Sequence, residues 1–236
     1  MNFSTRSYQK ELLDEDEIPR EDLFRNLYEL NQINRLLGGH AVTIKGLERL
    51  NLSKTQKYTL IDIGCGGGDT LKAIALWARK KGFHIQLTGV DYKSDCIQYA
   101  RKFCQSFSEI DFKQSDYRDL DDASYDIVIS SLFCHHLNDD ELVVFFKQGT
   151  RIAKYAILMN DLHRHKLAYY SIQYLTQLFS QSYLVKNDAK LSVKRGFVAN
   201  EIKQILEIAN IKQFRLEWCW AFRWLLTIHT SKDGRN

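Results

Sequence analysis

The sequence predicts an α/β fold in which a mostly parallel sheet is covered by helices on both faces. Short β-prone runs alternate with amphipathic helical patterns through its middle. A glycine-dense turn, Gly64–Gly68, joins the first such run to the first of those helices. The fourth run, Tyr125–Ser130, reads Tyr-Asp-Ile-Val-Ile-Ser and is mostly apolar, as a strand buried on both faces must be.

The first fifty residues read as helix. The acidic run Asp14–Glu17 leads to Pro19, the sole proline, placed as a first-turn residue. Leu23, Leu27, Leu30 and Asn34 follow at helical spacing, and Gly38-Gly39 marks the stop. The strands then expected are Tyr58–Ile63, Ile85–Val90, Ile110–Gln114, Tyr125–Ser130 and Tyr155–Met159. Between them, helical spacing appears at Leu71, Ile74, Ala75 and Ala78, at Ile97, Ala100 and Cys104, and at Leu142, Phe145, Phe146 and Gly149. His163–Ser180 breaks the rhythm as an aromatic helical insert. Ile202, Ile205, Leu206 and Ala209 define a last helix, and Phe214–Trp220 and Phe222–His229 close as two strands.

With 236 residues and no repeat or linker, the chain reads as one domain. Its expected parts are a helical cap (1–53), a core (54–162), a lid insert (163–190) and a closing helix with two strands (191–236). The net charge of +4 is spread along the chain, so no nucleic-acid partner is expected. Five scattered cysteines form no C-x-x-C pair, pointing to reduced thiols. No signal-like or membrane-spanning run is seen, and a cytoplasmic protein is expected.

Leu60-Ile61-Asp62-Ile63-Gly64-Cys65-Gly66-Gly67-Gly68-Asp69 carries the most information. Glycine permits a sharp bend and a close ligand approach, and the helix beyond offers free N–H groups. The dinucleotide fingerprint G-x-G-x-x-G would need a glycine where Asp69 stands, and that acid opposes a pyrophosphate. The stretch instead resembles the first motif of class I S-adenosylmethionine-dependent methyltransferases, matched at Asp62, Gly64, Gly66 and Gly68. The resemblance covers roughly Tyr58 to Met159 and implies a Rossmann-like seven-stranded sheet with S-adenosyl-L-methionine as cofactor. The acids beside the loop suit a sulfonium and an amine. Asp62 then either meets the ligand amine or holds the turn. The resemblance further implies that Asp91, at the end of the second strand, binds the ribose hydroxyls, and that Asp116 binds the adenine amino group. Cys65, Tyr92, Tyr117 and Ser131 complete the expected cofactor contacts, and Arg35 is placed to reach the cofactor carboxylate.

Ser131-Leu132-Phe133-Cys134-His135-His136 ends the fourth strand where the family faces donor and acceptor. A hydroxyl acceptor must lose a proton, so His135 and His136 are the base candidates, with packing and helix capping as the bland alternative. Asp161, His163 and His165 have metal-like spacing but no evident further ligand, so no metal is expected. Short segments around 33–39, 160–164 and 191–197 resemble a bacterial subgroup associated with type III polyketide biosynthesis. That implies a phenolic or polyketide-like small-molecule acceptor, methylated at oxygen. Tyr169, Tyr170, Tyr174, Phe179 and Tyr183 are read as either acceptor pocket or ordinary core. An RNA or protein methyltransferase and a non-catalytic adenosylmethionine-binding protein are the rival readings.

Overall fold

The computed structural model describes residues 3–15, 17–120 and 125–230. Asp16 of the acidic run, and Asp121 and Asp122 beyond the third strand, lie outside the described residues.

Seven strands form one sheet in the order β3-β2-β1-β4-β5-β7-β6. They are β1 (Lys57–Ile63), β2 (His84–Asp91), β3 (Ile110–Gln114), β4 (Tyr125–Ser131), β5 (Ala153–Leu162), β6 (Phe214–Cys219) and β7 (Arg223–His229). The first five are mutually parallel, and β7 inserts antiparallel between β5 and β6. Strand order reverses between β1 and β4, and ligands of open α/β sheets bind at that crevice, beyond the strand C-terminal ends.

Helices α3 (Asp69–Lys81), α4 (Ser94–Phe103), α5 (Asp139–Ile152) and α8 (Ala199–Ile208) each lie in a connection between strands. Successive residues of β1 point to opposite faces. Leu60 joins Leu71, Ile74, Ile127 and Ile129 on one side. Ile61 joins Val128, Phe145, Phe146, Ile205 and Leu206 on the other. This two-sided burial is why the central strands read as continuous apolar runs.

Three elements depart from expectation. Pro19 immediately precedes α1 (Arg20–Leu36) and is not its first residue. Gly38, at φ 73°, does end that run, but the chain restarts at once as α2 (Gly39–Glu48). Helix α2 lies on the sheet, where a Cβ on Gly46 would stand 3.1 Å from Leu158 and 3.2 Å from Leu225. It is a sheet-covering helix, which a cap reading of residues 1–53 missed. The insert is a helix pair, α6 (Lys166–Phe179) and α7 (Tyr183–Arg195), so helix continues past residue 190. Among the described residues, no helix is long and apolar enough to cross a membrane.

Candidate active site

The glycine turn is built by the strand beside it. Gly64 N–H and Cys65 N–H both donate to the Val90 carbonyl, at 2.9 and 3.0 Å. Gly64 and Gly68 hold φ of 72° and 75°, a region costly for residues bearing a Cβ. A Cβ on Gly64 would also fall 2.3 Å from Phe133, so the turn needs glycine for space as well as angle.

This turn forms the wall of a cavity of about 360 Å³. Gly64, Cys65, Gly66, Asp91, Tyr92, Asp116, Tyr117, Ser131 and His136 all line it, as do Asn34 and Asp69. Gly68 lies outside the lining and packs instead on Phe112, 2.8 Å from where its Cβ would be. Arg35 is not brought to the cavity; it is exposed on α1, while its neighbour Asn34 faces inward. One residue along a helix turns the side chain by about 100°, and the apolar stripe of α1 fixes which face is inside.

Asp91 is oriented by two backbone donors, Gly66 N–H and Lys93 N–H, each at 3.0 Å. Each carboxylate oxygen retains acceptor capacity toward the cavity. Burial pushes this carboxyl above its usual range, opposed by those two hydrogen bonds. Asp62 is buried beneath the turn and does not line the cavity. Among the described residues, its Oδ1 finds no hydrogen-bond partner. Burial, with the nearby charges of Asp69 and Asp91, holds its carboxyl well above the carboxylate range. Asp69 is half-buried at the cavity wall, and its donors His40, at 2.7 Å, and Asn34, at 3.1 Å, outweigh its desolvation and hold it low. The ionised Asp69 and the acceptor oxygens of Asp91, both on the cavity wall beside the turn, suit a cation bearing hydroxyls and oppose a phosphate. S-adenosylmethionine has that chemistry.

Asp116 caps the turn Tyr117–Asp119 through Arg118 N–H, and the Arg118 guanidinium clamps it from the side. That hydrogen-bonded pairing lowers its carboxyl.

A second cavity, of about 380 Å³, adjoins the first. Leu13, Leu30, Asn34, Leu132 and His136 line both. Leu132, at the end of β4, holds φ 55°, a strained angle for leucine at the point where the cavities meet. The second cavity's apolar wall comes from Ala168, Ile172 and Leu175 of α6, Val185 of α7 and the turn at Phe222. The aromatics of the insert lie elsewhere. Tyr169 is buried against Phe3 without lining the cavity, and Tyr170, Tyr174, Phe179 and Tyr183 are exposed.

At the polar end of this second cavity, His135 Nδ1 lies 2.7 Å from Asp161 and His136 Nδ1 lies 2.7 Å from Asp14. Glu11, buried on the N-terminal segment, faces both rings. Burial pushes the Glu11 carboxyl up to about 7, against the pull of His136, Ser192 and Arg195. Neither Glu11 nor Asp14 was legible as a site residue, because each lies more than a hundred residues from its histidine. Arg223, buried and donating to Asn34 at 2.8 Å, was missed for the same reason. Asp161 belongs to β5 and serves His135, apart from His163 and His165.

Comparison with known proteins agrees with this geometry. Residues 54–192 match a family described as a methyltransferase domain. The chain is 28% identical over 134 residues to YqeM of Bacillus subtilis (strain 168), a candidate methyltransferase, spanning 54% of this chain and about half (51%) of that relative's length. A SAM-dependent methyltransferase from Aquifex aeolicus superposes with a TM-score of 0.63 at 15% identity, covering 90% of this chain and 99% of that one. Magnesium protoporphyrin IX methyltransferase from Synechocystis PCC 6803, solved with bound SAH, superposes with a TM-score of 0.60 at 15% identity, covering 89% and 94%. The chain belongs to the S-adenosylmethionine-dependent methyltransferases of class I fold.

Proposed function

We propose that this enzyme transfers a methyl group from S-adenosylmethionine to an oxygen of a small phenolic or polyketide-like acceptor held in the second cavity. Asp91 takes the ribose hydroxyls, Asp116 and Tyr117 the adenine end, and the turn Gly64–Gly66 lies against the amino-acid moiety with Asp69 supplying negative charge and Asp62 supporting the turn from beneath. Bound S-adenosylmethionine supplies an electrophilic methyl, whose bond to sulfur breaks as the bond to oxygen forms. The chain's own work is to hold nucleophile and methyl in line and to activate the acceptor hydroxyl. His136 is suited to activation, with Nδ1 fixed by Asp14, and His135 stands behind it, fixed by Asp161.

The observation carrying this reading is that His136 lines both cavities. A labelled-methyl assay over phenols, polyketide-like resorcinols, bulk RNA and protein tests it. Turnover is expected on the small phenolic compounds, and His136→Ala is expected to lower kcat by on the order of 10²-fold with adenosylhomocysteine affinity kept. Preferential labelling of RNA or protein contradicts the acceptor class. Unchanged turnover in both His136→Ala and His135→Ala removes the histidines from the mechanism.

A further inference from the structure

We propose that Glu11, His135 and His136 bind a divalent transition-metal ion, an inference that rests on the reading above for the use of the second cavity but not for the ion's ligands. A carboxylate accepts hydrogen bonds, so Asp161 and Asp14 each receive the Nδ1–H of one histidine. Each neutral imidazole is then left with a bare Nε2 lone pair. Both lone pairs face the same carboxylate: His135 Nε2 lies 3.7 Å from Glu11 Oε1, and His136 Nε2 lies 3.9 Å from Glu11 Oε2. One ligand atom from each of the three residues falls within 4.8 Å of the others.

Ser192 Oγ donates to Glu11 Oε1 at 2.8 Å, which among the described residues leaves the two Nε2 lone pairs without a donor. Acceptors so gathered at a largely buried cavity wall favour a positive charge between them. The spacing favours an ion over a shared proton. An N–H···O bond closes to about 2.7–3.2 Å, shorter than either separation. Ligand atoms bound at about 2.1 Å to one ion stand roughly 3.0–3.4 Å apart, which small side-chain movements reach. The nearby guanidiniums donate their hydrogen bonds to other groups, and Arg195 makes only a long ion pair with Glu11. Arg195 lies 3.9 Å from Glu11, but it donates to Asp14 and to the carbonyls of Gln9, His135 and His136. Arg6 donates to Asp139 and to the carbonyls of Leu137 and Arg195.

Two imidazoles with one carboxylate form a donor set for Zn²⁺, Fe²⁺, Mn²⁺ or Co²⁺ rather than Ca²⁺. The Asp–His pairs are the outer-shell bracing such ligands carry. All three ligands line the second cavity, so the ion's remaining positions open toward the acceptor. There it binds the acceptor oxygen and lowers its pKa, so the hydroxyl proton leaves to solvent and the ligated His136 does not serve as base in the metal-bound enzyme.

The test is calorimetric titration of chelator-treated, folded protein with Zn²⁺, repeated with Co²⁺ read by visible spectroscopy. One equivalent is expected, with a nitrogen–oxygen Co²⁺ spectrum free of thiolate bands. Glu11→Gln and His136→Ala each weaken binding by on the order of 10²-fold, and Asp14→Asn by roughly 10–100-fold, all with circular dichroism unchanged. Absence of binding, or binding unaltered in both Glu11→Gln and Asp14→Asn, overturns the site. Adenosylhomocysteine titrated into the same samples separates the readings. Nucleoside binding without an ion removes the metal site alone; an ion without nucleoside binding removes the methyl-transfer reading and leaves the metal site standing.

Discussion

Asp62 is a carboxylate whose position costs the fold. It is buried, one oxygen lacks a partner among the described residues, and its carboxyl is held well above the usual range. Folding therefore favours its protonated form, so its penalty is absent below the unfolded carboxylate range and grows as pH rises toward the folded value. Asp62→Asn is expected to stabilise the ligand-free protein at neutral pH by about 1–3 kcal/mol, the gain shrinking as pH falls toward 4. Denaturant melts of both proteins across that range read it; equal stability at neutral pH contradicts it. At this scale the sequence was informative where chemistry is local. Asp62, Gly64, Gly66 and Asp91 stood out because a turn and its strand are contiguous. Glu11, Asp14 and Arg223 did not, because side chains distant in sequence meet only through the packing of the N-terminal segment, α7 and β7.

Among the elements, the turn before α3 makes the strictest demands. Gly64 and Gly82 share nearly the same backbone angle, at φ 72° and 78°, but only Gly64 has a neighbour where a Cβ would go. Gly82→Ala should cost about 1 kcal/mol and leave adenosylhomocysteine affinity unchanged. Gly64→Ala should cost more and displace Phe133 from the cavity wall, lowering that affinity at least several-fold. Thermal melts and calorimetry of the pair check this, and equal effects of the two substitutions would contradict it. Strands and the α3, α4, α5 and α8 helices were legible from apolar periodicity, with β5 extending further at both ends than its apolar run. Residues 39–48 were read as helix within the cap, but the place of α2 on the sheet was hidden, because Gly38-Gly39 is a true stop for α1 and nothing local says which surface the next helix covers. The aromatic stripe of α6 misled as a pocket signal because the aliphatic face is the one turned inward.

For the whole molecule, two adjoining cavities divide the labour between the sheet's crevice and the helices laid over it. Ile172 lines only the second cavity. Ile172→Trp should fill it and lower kcat/KM for the acceptor at least tenfold while adenosylhomocysteine affinity stays within a factor of two. Steady-state kinetics with parallel calorimetry would show it; a loss of cofactor affinity equal to the loss of turnover would contradict the division. The class of fold and the cofactor were legible because they are carried by one unbroken stretch. The second cavity was legible only through the insert read as a lid, since α1, α6, α7 and the β6–β7 turn, far apart in sequence, enclose it together. The central claim is that a cationic nucleoside sits on the Gly64 turn with its ribose on Asp91. Titrating S-adenosylmethionine into the wild type and Asp91→Ala tests it most directly. One saturable site is expected in the wild type, weakened at least tenfold by the substitution with the fold intact; no binding, or equal binding in both proteins, would contradict it.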